Sequence, residues 1–425
     1  MLSGVLPKVL GVSLWLCVLA VVCTAASAAT PLLQPTSDSV AQAGWSVSIA
    51  GDWMAAGSFS STGAVFLYHS TETSGWTLHT VIGPPSDSKG DYIYFGEHVA
   101  LSESPLRLAI SSNGEDVGWH SHVGVVYTYV YDGSAWVEEQ RIEPKHTSGV
   151  DYGCNGVALH GSTLIASGSE GDYFFMSTYS SKHSKWNDLE KVSFKHHELI
   201  QAALSLSYPY LAVGSPEDLS GVGSVLLFDM SVSDWTDHPT VLSSPSGNAS
   251  SHFGQSVSVT ASGTVVVGET YGGSGGIGQA HLYDLDQSGS SPSWSLRETL
   301  EGATFHDEYG SSVCLSSSAQ TLAVAFNMTG AVDMYDCGSV GSDSGCEYIR
   351  TFRPEHGEYT MDEGLKTIGF GTSLVFDETH DLLLVGSPEC SYIETNGSKG
   401  ATKAGALYLE EVGFNVTSGH AFGMY

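Results

Sequence analysis

The chain repeats four short apolar segments in the same order seven times along its 425 residues. A glycine opens almost every repeat, and the intervals between these glycines are 52, 57, 101, 56 and 61 residues. The interval of 101 spans two repeats, because Gln201 replaces the glycine in a segment that otherwise fits. A unit of this size must bury its apolar face against its neighbours. The pattern therefore predicts a repeat protein, with units that start near residues 44, 96, 153, 201, 254, 310 and 371.

The four segments of a repeat have the composition of β-strands. In the fifth repeat they cover residues 253–259, 264–268, 278–283 and 294–300, and β-branched and aromatic residues are frequent in them. Four strands in each of seven units predict an all-β fold, a seven-bladed β-propeller of four-stranded antiparallel blades. A β-solenoid has shorter repeats and a β-sandwich needs about 100 residues, so neither alternative fits.

The two ends of the chain together complete the seventh repeat. In the other repeats the fourth segment starts at an aromatic residue, which we interpret as packing between sheets: Trp76, Trp136, Trp186, Trp235, Trp294 and Tyr348. The seventh repeat has no such segment after Leu409, whereas residues 30–35 resemble the end of the first repeat at residues 81–85. We therefore predict that an N-terminal strand closes the ring, that the propeller covers residues 29–415 and that residues 416–425 form a tail.

The N-terminal region is typical of a secretory signal peptide. Lys8 precedes a mostly apolar stretch over residues 9–22, and small residues surround Ala28. We predict that residues 1–28 are a signal peptide cleaved after Ala28, and that the secreted protein does not insert into a membrane. An uncleaved anchor helix is the alternative, since about 20 apolar residues can span a bilayer.

Sequons and cysteines agree with secretion. Four Asn-x-Ser/Thr sequons fall in predicted turns or loops and predict glycosylation at Asn248, Asn327, Asn396 and Asn415. Cys337 and Cys346 flank a turn rich in Gly and Ser, so we predict a disulfide between them. The pairing of Cys154, Cys314 and Cys390 stays open, and their odd number implies a free thiol or an intermolecular link.

The charge balance limits the possible partners. The chain has 46 acidic and 15 basic residues and a formal net charge of −31. Such a surface repels phosphate backbones and anionic lipids, so we expect no nucleic-acid partner. Solubility is the plain explanation of the acidity, and attraction of a cationic ligand is the functional one. We expect the secreted protein to be a monomer.

Two motifs in the repeats resemble those of a known family. The openers join an aromatic residue to a glycine at Phe95-Gly96, Tyr152-Gly153, Phe253-Gly254, Tyr309-Gly310 and Phe370-Gly371. Gly-Ser-Pro follows the second segment at residues 214–216 and 386–388. In phase along essentially the whole mature chain, these motifs resemble the FG-GAP repeat, which builds the seven-bladed head of integrin α subunits. The resemblance implies adhesion or other extracellular recognition, with a protein or carbohydrate partner.

The links between the first two segments depart from the integrin pattern. Integrin-type repeats often carry an Asp-x-Asp-x-Asp-Gly loop there, whose clustered oxygens suit calcium. The links in this chain are tight turns such as residues 50–52, 160–162 and 262–263, which are too short to wrap a cation. We therefore predict no metal site of that kind and no cofactor.

Functional side chains are expected on the long loops. In a four-stranded blade, the loop from the second to the third strand and the loop from the fourth strand to the next opener share one rim, and rigid scaffolds bind ligands on such loops. One of these loops, residues 111–123, contributes five predicted ligand-binding residues: Glu115, Asp116, Trp119, His120 and His122. His146, in the loop over residues 143–152, is the sixth. Imidazoles beside carboxylates suit transition-metal binding or proton transfer, and incidental exposed histidines are the plain alternative.

The sequence favours one function over two alternatives. We predict a non-catalytic binding or adhesion module for protein or glycan ligands, with no catalytic residues. One alternative is a hydrolase or lyase that acts on polysaccharide at the axial mouth, where His252, His306 and His356 also belong. The other is a structural coat or matrix protein. If the loop over residues 111–123 binds the ligand, shortening it should abolish capture without lowering the melting temperature.

Overall fold

The computed structural model describes most of the predicted propeller. The described residues are 27–29, 31–33, 42–71, 75–144, 152–168, 173–193, 199, 202–288, 293–303, 307–326, 328–338, 345–354, 369–388 and 405–412. The predicted signal region up to residue 26 and the predicted tail over residues 416–425 lie outside them. Within the described part of the chain, no helix is long and apolar enough to cross a membrane.

The strands are numbered in chain order. Two short N-terminal strands, β1 (Ser27–Ala29) and β2 (Pro31–Leu33), precede the repeats. Blade one contains β3 (Ala43–Ala50), β4 (Trp53–Ser58), β5 (Val65–Thr71) and β6 (Gly75–Ile82). Blade two contains β7 (Phe95–Ser102), β8 (Arg107–Ser112), β9 (Val125–Tyr131) and β10 (Trp136–Ile142). Blade three contains β11 (Tyr152–His160), β12 (Thr163–Gly168), β13 (Tyr173–Ser180), β14 (Lys185–Trp186) and β15 (Glu190–Ser193).

The remaining blades follow the same order. Blade four contains β16 (Ala203–Ser207), β17 (Tyr210–Ser215), β18 (Ser224–Asp229) and β19 (Thr240–Ser243), with a helical turn α1 (Asp218–Gly221) and a 3-10 turn (Trp235–Asp237). Blade five contains β20 (Phe253–Val259), β21 (Val265–Glu269), β22 (Gln279–Asp286) and β23 (Ser293–Glu301). Blade six contains β24 (Tyr309–Leu315), β25 (Thr321–Phe326), β26 (Ala331–Asp336) and β27 (Glu347–Pro354). Blade seven contains β28 (Ser373–Asp377), β29 (Leu382–Ser387) and β30 (Ala406–Glu411).

Each blade is an antiparallel sheet, and in blades one to six its strands follow chain order from the axis outward. In blade seven, β2 pairs with β30 and supplies the fourth strand. The predicted seven-bladed propeller, with its ring closed by an N-terminal strand, is therefore confirmed. In addition, β1 pairs in parallel with β27 of blade six. The cleavage point predicted after Ala28 thus lies within a paired strand.

The connections divide the propeller into two rims. Tight turns such as residues 51–52 and 161–162 join the first and second strands of a blade. The loops from second to third strands and from fourth strands to the next blade emerge at the opposite end, because strand direction alternates across each antiparallel sheet. We call that end the loop rim. The sequence predicted this shared rim, and the strand order confirms it.

Apolar side chains between neighbouring blades form the core. The aromatic residue of the opener is buried at four blade junctions: Phe95, Phe253, Tyr309 and Phe370. The second strand is buried along its whole length in blades one, two, four and five. Burial on both faces explains why these strands are continuously apolar rather than alternating.

Glycines allow the backbones of neighbouring blades to touch. Gly254 has a φ of +92°, and a β-carbon there would lie 2.6 Å from the carbonyl oxygen of Ser224 in blade four. A β-carbon on Gly214 would clash with the carbonyl oxygen of Gly254 itself. Gly223 forms a parallel bridge with Phe253 and has no room for a side chain either. The glycines of the repeat motifs therefore lie where the backbone of one blade contacts the backbone of the next.

Replacing Gly214 with alanine should destabilise the propeller by about 3 kcal/mol, since the new methyl group would have to push two blades apart. Gly161→Ala is the matched control, because Gly161 has a φ of +56° but open space around its Cα. That substitution should cost only about 1 kcal/mol, through backbone strain alone. Chemical denaturation measures both losses, and equal losses would contradict the close packing of blades.

The fourth segment of blade four starts later than predicted. Trp235–Asp237 forms a 3-10 turn, and β19 begins only at Thr240. Pro239 has no N–H to donate to a sheet, so pairing with β18 starts after it. Trp235 still packs between blades against Phe174 and Phe228, as predicted for the aromatic residues of this segment.

The cysteines in the described part of the chain follow the prediction. Cys337 and Cys346 form the expected disulfide. Cys314 is a free thiol between blades six and seven, and burial raises its pKa to about 12. The side chain of Cys154 and all of Cys390 lie outside the described residues.

Candidate functional site

An axial cavity lies among the innermost strands of the seven blades. Its volume is about 630 Å³, within the range of about 300–1,000 Å³ that is typical of ligand pockets. Each innermost strand contributes one Val or Leu to the lining, and we call these seven residues the apolar ring: Val47, Val99, Val157, Leu204, Val257, Val313 and Leu374. Each pairs with the equivalent position of the second strand of its blade. The ring is therefore a direct product of the common register.

The turn that enters each innermost strand shapes the mouth of the cavity. In four blades a residue other than glycine adopts a left-handed conformation two positions before the glycine of the opener, with φ between +51° and +69°: Gln42, Tyr94, His252 and Glu308. This conformation costs about 1 kcal/mol or more for such residues. His252 and Glu308 both line the cavity. The strained turns thus bring an imidazole and a carboxylate to the mouth.

Four polar side chains from blades four to six meet at the mouth, and we call them the mouth cluster. His252 Nε2 lies 3.7 Å from Glu217 Oε1. The His252 ring packs edge-on against Tyr271, with 5.0 Å between ring centroids. The Tyr271 hydroxyl donates to Glu308 Oε1 over 3.0 Å, and partial burial together with this carboxylate raises the pKa of Tyr271. The cluster is therefore an acidic and aromatic surface.

A buried network supports the mouth cluster from below. Glu269 and His281 are almost completely buried, and Glu269 Oε2 lies 2.6 Å from His281 Nε2. The other carboxylate oxygen of Glu269 accepts a hydrogen bond of 2.5 Å from Ser244. Because Glu269 ends β21 two residues before Tyr271, this network fixes the backbone that carries the Tyr271 ring.

An aromatic row runs from the cavity across the loop rim of blades one and two. Trp45 lines the cavity and stacks on Phe59, with 4.6 Å between ring centroids. Phe59 stacks on Tyr94 at 5.3 Å, and Tyr94 stacks on Tyr92 at 6.1 Å. Tyr92 is about half exposed, at 53%. The aromatic row, residues Trp45, Phe59, Tyr94 and Tyr92, presents rigid apolar surface from the mouth to the outer rim.

The first half of the loop over residues 111–123 is buried. Glu115 is only 1% exposed. Its carboxylate accepts hydrogen bonds from the Tyr127 hydroxyl at 2.9 Å, from Ser112 at 3.1 Å and from Arg141 at 3.0 Å. Burial raises the pKa of Tyr127 to about 12, which keeps its hydroxyl a donor. Glu115, predicted as a ligand-binding residue, thus holds the loop to β9 and β10.

This burial changes what a loop deletion would measure. Ser111, Ser112 and Asn113 are buried together with Glu115. Shortening the loop would leave the Arg141 guanidinium and the Tyr127 hydroxyl without the carboxylate that binds them. A deletion would therefore lower stability and binding together, and only point variants at the exposed tip separate the two effects.

The second half of the loop is exposed. A tight turn joins Val117 and His120 through two backbone hydrogen bonds of 3.0 and 3.1 Å. Trp119 sits at the tip of this turn and is 92% exposed, with its ring edge-on to His120. Asp116 accepts a hydrogen bond of 2.9 Å from the backbone of His122. The structure therefore presents Trp119 to solvent on the loop rim and uses Asp116 to shape the turn.

The other predicted site residues are only partly covered by the structure. Neither His120 nor His122 lines the axial cavity, whereas His252 does. Asn248 lies in an exposed loop after β19. Six predicted functional or modified residues lie outside the described part of the chain: His146, His306, His356, Asn327, Asn396 and Asn415. Among the described residues, no three His, Cys, Asp or Glu side chains are grouped closely enough to hold a metal ion.

Glu97 is a buried carboxyl beside the cavity wall. It follows the opener of blade two, is 8% exposed and accepts a hydrogen bond from Asn113. Burial raises the pKa of Glu97 to about 7, against the weaker lowering effect of that hydrogen bond. The neighbouring His98, which lines the cavity, places Nε2 3.9 Å from Glu97 Oε1.

Stability should therefore depend on pH through Glu97. Between pH 4.5 and about 7 the folded carboxyl keeps a proton that the unfolded chain releases. Stability then falls as pH rises through this window, by about 3 kcal/mol in total. Glu97→Gln, which is neutral at every pH, should be more stable than the parent by about this amount at about pH 8, with little difference at about pH 5.

Chemical denaturation at both pH values measures this effect. Glu347→Gln serves as the control, because Glu347 is exposed at the start of β27 and the substitution removes the same charge. The control should retain the pH slope of the parent protein. An unchanged slope in Glu97→Gln would contradict a buried neutral carboxyl.

Sequence reasoning missed several residues of the site. Trp45, Tyr271 and Glu308 lie in three different blades, and nothing in the local sequence links them. A signal for the apolar ring was present, since Val or Leu occurs three residues after the opener in most repeats. Trp45 directly follows an opener glycine. From the sequence alone, a tryptophan at that position would be assigned to packing between sheets.

Comparison with known proteins leaves the identity of the family open. No protein-family model matches the chain, and no curated protein matches it either.

Proposed function

We propose that this protein is a secreted, FG-GAP-like propeller that acts as a non-catalytic binding or adhesion module for an extracellular protein or glycan. The ligand binds on the loop rim, across a surface that extends from the mouth cluster along the aromatic row to Trp119. The observation that carries this proposal is the concentration of exposed and half-buried aromatic rings on that rim, two of which, Trp45 and Tyr271, line the cavity. Rigid aromatic side chains contribute much contact area at low entropic cost, which is why they dominate binding surfaces.

Further features support an extracellular binding role. The N-terminal region resembles a signal peptide, and the Cys337–Cys346 disulfide suits an oxidising compartment. Asn248 lies in a sequon on an exposed loop, where a glycosyltransferase could reach it. At the junction of blades four and five, the Gly-Ser-Pro motif at Gly214 meets the aromatic–glycine opener at Gly254, and both motifs resemble those of FG-GAP repeats.

Arrays of glycans and extracellular proteins, probed with the secreted chain, test the proposal. Capture should weaken about tenfold or more in Trp45→Ala and in Trp119→Ala, because each removes a large ring from the binding surface. Tyr348→Ala is the matched control, since Tyr348 is 49% exposed but lies near the opposite rim. It should capture as well as the parent protein.

Three results would contradict the proposal. The first is no capture of any probe on either array. The second is capture that survives both tryptophan substitutions but is lost in Tyr348→Ala. The third is turnover of a polysaccharide probe by the purified chain, which would support the hydrolase or lyase alternative instead. Melting temperatures of all variants separate lost binding from lost folding.

A further inference from the structure

The fourth strand of blade seven covers only part of its neighbour. Among the described residues, β2 pairs with Leu407 and Tyr408 of β30, and no outer strand pairs with residues 409–411. The backbone N–H of Val412 donates to Asp381 in the tight turn of the same blade. Because N–H directions alternate along a strand, the N–H of Glu411 points to the opposite, outer side. The half of this edge nearer the tight turns therefore offers backbone groups to a further strand.

In other blades a tryptophan lies opposite the position of Val412. Three residues make the same backbone hydrogen bond to the tight turn of their own blade as Val412 does: Ser70, Tyr131 and Tyr179. Each pairs with a tryptophan near the start of the fourth strand, namely Trp76, Trp136 and Trp186. In blade six the equivalent residue is Cys337, and its disulfide partner Cys346 lies opposite it. The position opposite Val412 is thus one that the fold normally fills from an outer strand.

A groove of about 480 Å³ lies beside this position, between blades six and seven. Ile349 and Arg350 of β27 form one side, whereas Leu382 and Val412 of blade seven form the other. Ile349 is 39% exposed, although it faces the neighbouring blade. The groove combines apolar surface with a guanidinium, and it has room for an aromatic side chain and the backbone that carries it.

The groove matches the place where a fourth-strand aromatic residue of the next blade packs. Ile349 and Arg350 have the same register in β27 as Glu139 and Gln140 have in β10, because both strands carry a bulge at that point. Glu139 accepts a hydrogen bond of 2.9 Å from the indole of Trp186 in blade three, and Gln140 accepts one of 2.8 Å from its backbone N–H. An aromatic residue opposite Val412 would therefore lie in the groove.

The spacing of the sequence after β30 selects Phe422 as that residue. The equivalent connections contain four residues in blade two, six in blade three and eight in blade six (132–135, 180–185 and 338–345). Nine residues, 413–421, separate Val412 from Phe422. Phe414 follows after a single residue, which is fewer than the two that a tight hairpin turn needs. With Phe422 opposite Val412, residues 423 and 424 lie opposite Glu411 and Glu410, and β2 continues the strand at Tyr408.

We propose that residues 422–425 form the missing half of the fourth strand of blade seven, with the Phe422 ring in the groove. Arg350 donates to the carbonyl oxygen of Phe422, as Gln140 donates to that of Trp186 over 3.2 Å. Segments from the N-terminal and C-terminal regions then complete one blade together. The propeller thereby extends beyond the predicted boundary at residue 415, and Asn415 lies in the connecting loop on the rim of the tight turns. This inference goes beyond the proposed function, which concerns the loop rim.

Hydrogen exchange of the secreted full-length chain, measured by mass spectrometry, tests the inference. The backbone of residues 409–412 should exchange about tenfold faster or more in Phe422→Ala, because the outer strand loses the side chain that holds it in place. Phe414→Ala is the matched control, since it removes the same ring from the connecting loop. It should exchange like the parent protein over residues 409–412.

A pair of cysteines tests the register independently of the ring. Val412→Cys combined with Phe422→Cys should form a disulfide within one chain, because Cys337 and Cys346 do so at the equivalent positions of blade six. Val412→Cys combined with His420→Cys is the control, two residues out of register, and should form this link in a much lower yield. Peptide mapping without reduction measures both yields.

Four results would overturn the inference. They are unchanged exchange in Phe422→Ala, equal effects of Phe422→Ala and Phe414→Ala, equal yields of the two disulfides, and a disulfide between two chains. Protection of residues 409–412 that appears only after a second protein is added would also overturn it, in favour of a strand from a partner. If Phe422→Ala unfolds, exchange rises along the whole chain and the cysteine pairs decide. Capture that depends on Trp45 and Trp119 should persist in Phe422→Ala, so failure here leaves the proposed function standing.

Discussion

The contact of backbone with backbone at the blade junctions is the constraint on which the rest of the structure depends. At the junction of blades four and five, Gly214 lies against Gly254, and Gly223 pairs with Phe253. No β-carbon fits at these three glycines, so the separation of the blades is set by backbone atoms rather than by adaptable side chains. Glycines in equivalent places repeat this spacing at other junctions: Gly57 with Gly96, Gly268 with Gly310, and Gly386 with Gly44.

The fixed spacing of the blades determines which side chains line the axial cavity. Because every innermost strand pairs with its neighbour in the same register, one aliphatic side chain per blade reaches the same depth and forms the apolar ring. The loops above differ from blade to blade, so the mouth does not share this near-symmetry. Aromatic rings gather over blades one and two, whereas Glu217, His252, Tyr271 and Glu308 gather over blades four to six. The common strand register makes the inner end of the cavity similar in every blade, whereas the loops make its mouth different from blade to blade.

Local signals explain what could be predicted. The strand segments, the closing N-terminal strand and the Cys337–Cys346 disulfide depend on residues close in sequence or on the repeat itself, and each is confirmed. The start of the fourth strand in blade four was placed too early, because Pro239 prevents pairing before Thr240. The candidate site was harder to predict from the sequence than the fold. Glu115 has the sequence setting of an exposed loop carboxylate, yet Arg141 from a later strand binds it in a buried network.

The sequence by itself determined the number of blades, their four-strand composition and the way the ring closes, because steric needs for glycine and strand periodicity act over a few residues. The tertiary structure alone decided which side chains face the axis and which are buried. His252, Tyr271 and Glu308 meet because three separate loops converge at one mouth, and the pKa of Glu97 rises because neighbouring chain segments exclude water from it. Such proximity depends on the curvature of the whole ring, which no single repeat encodes.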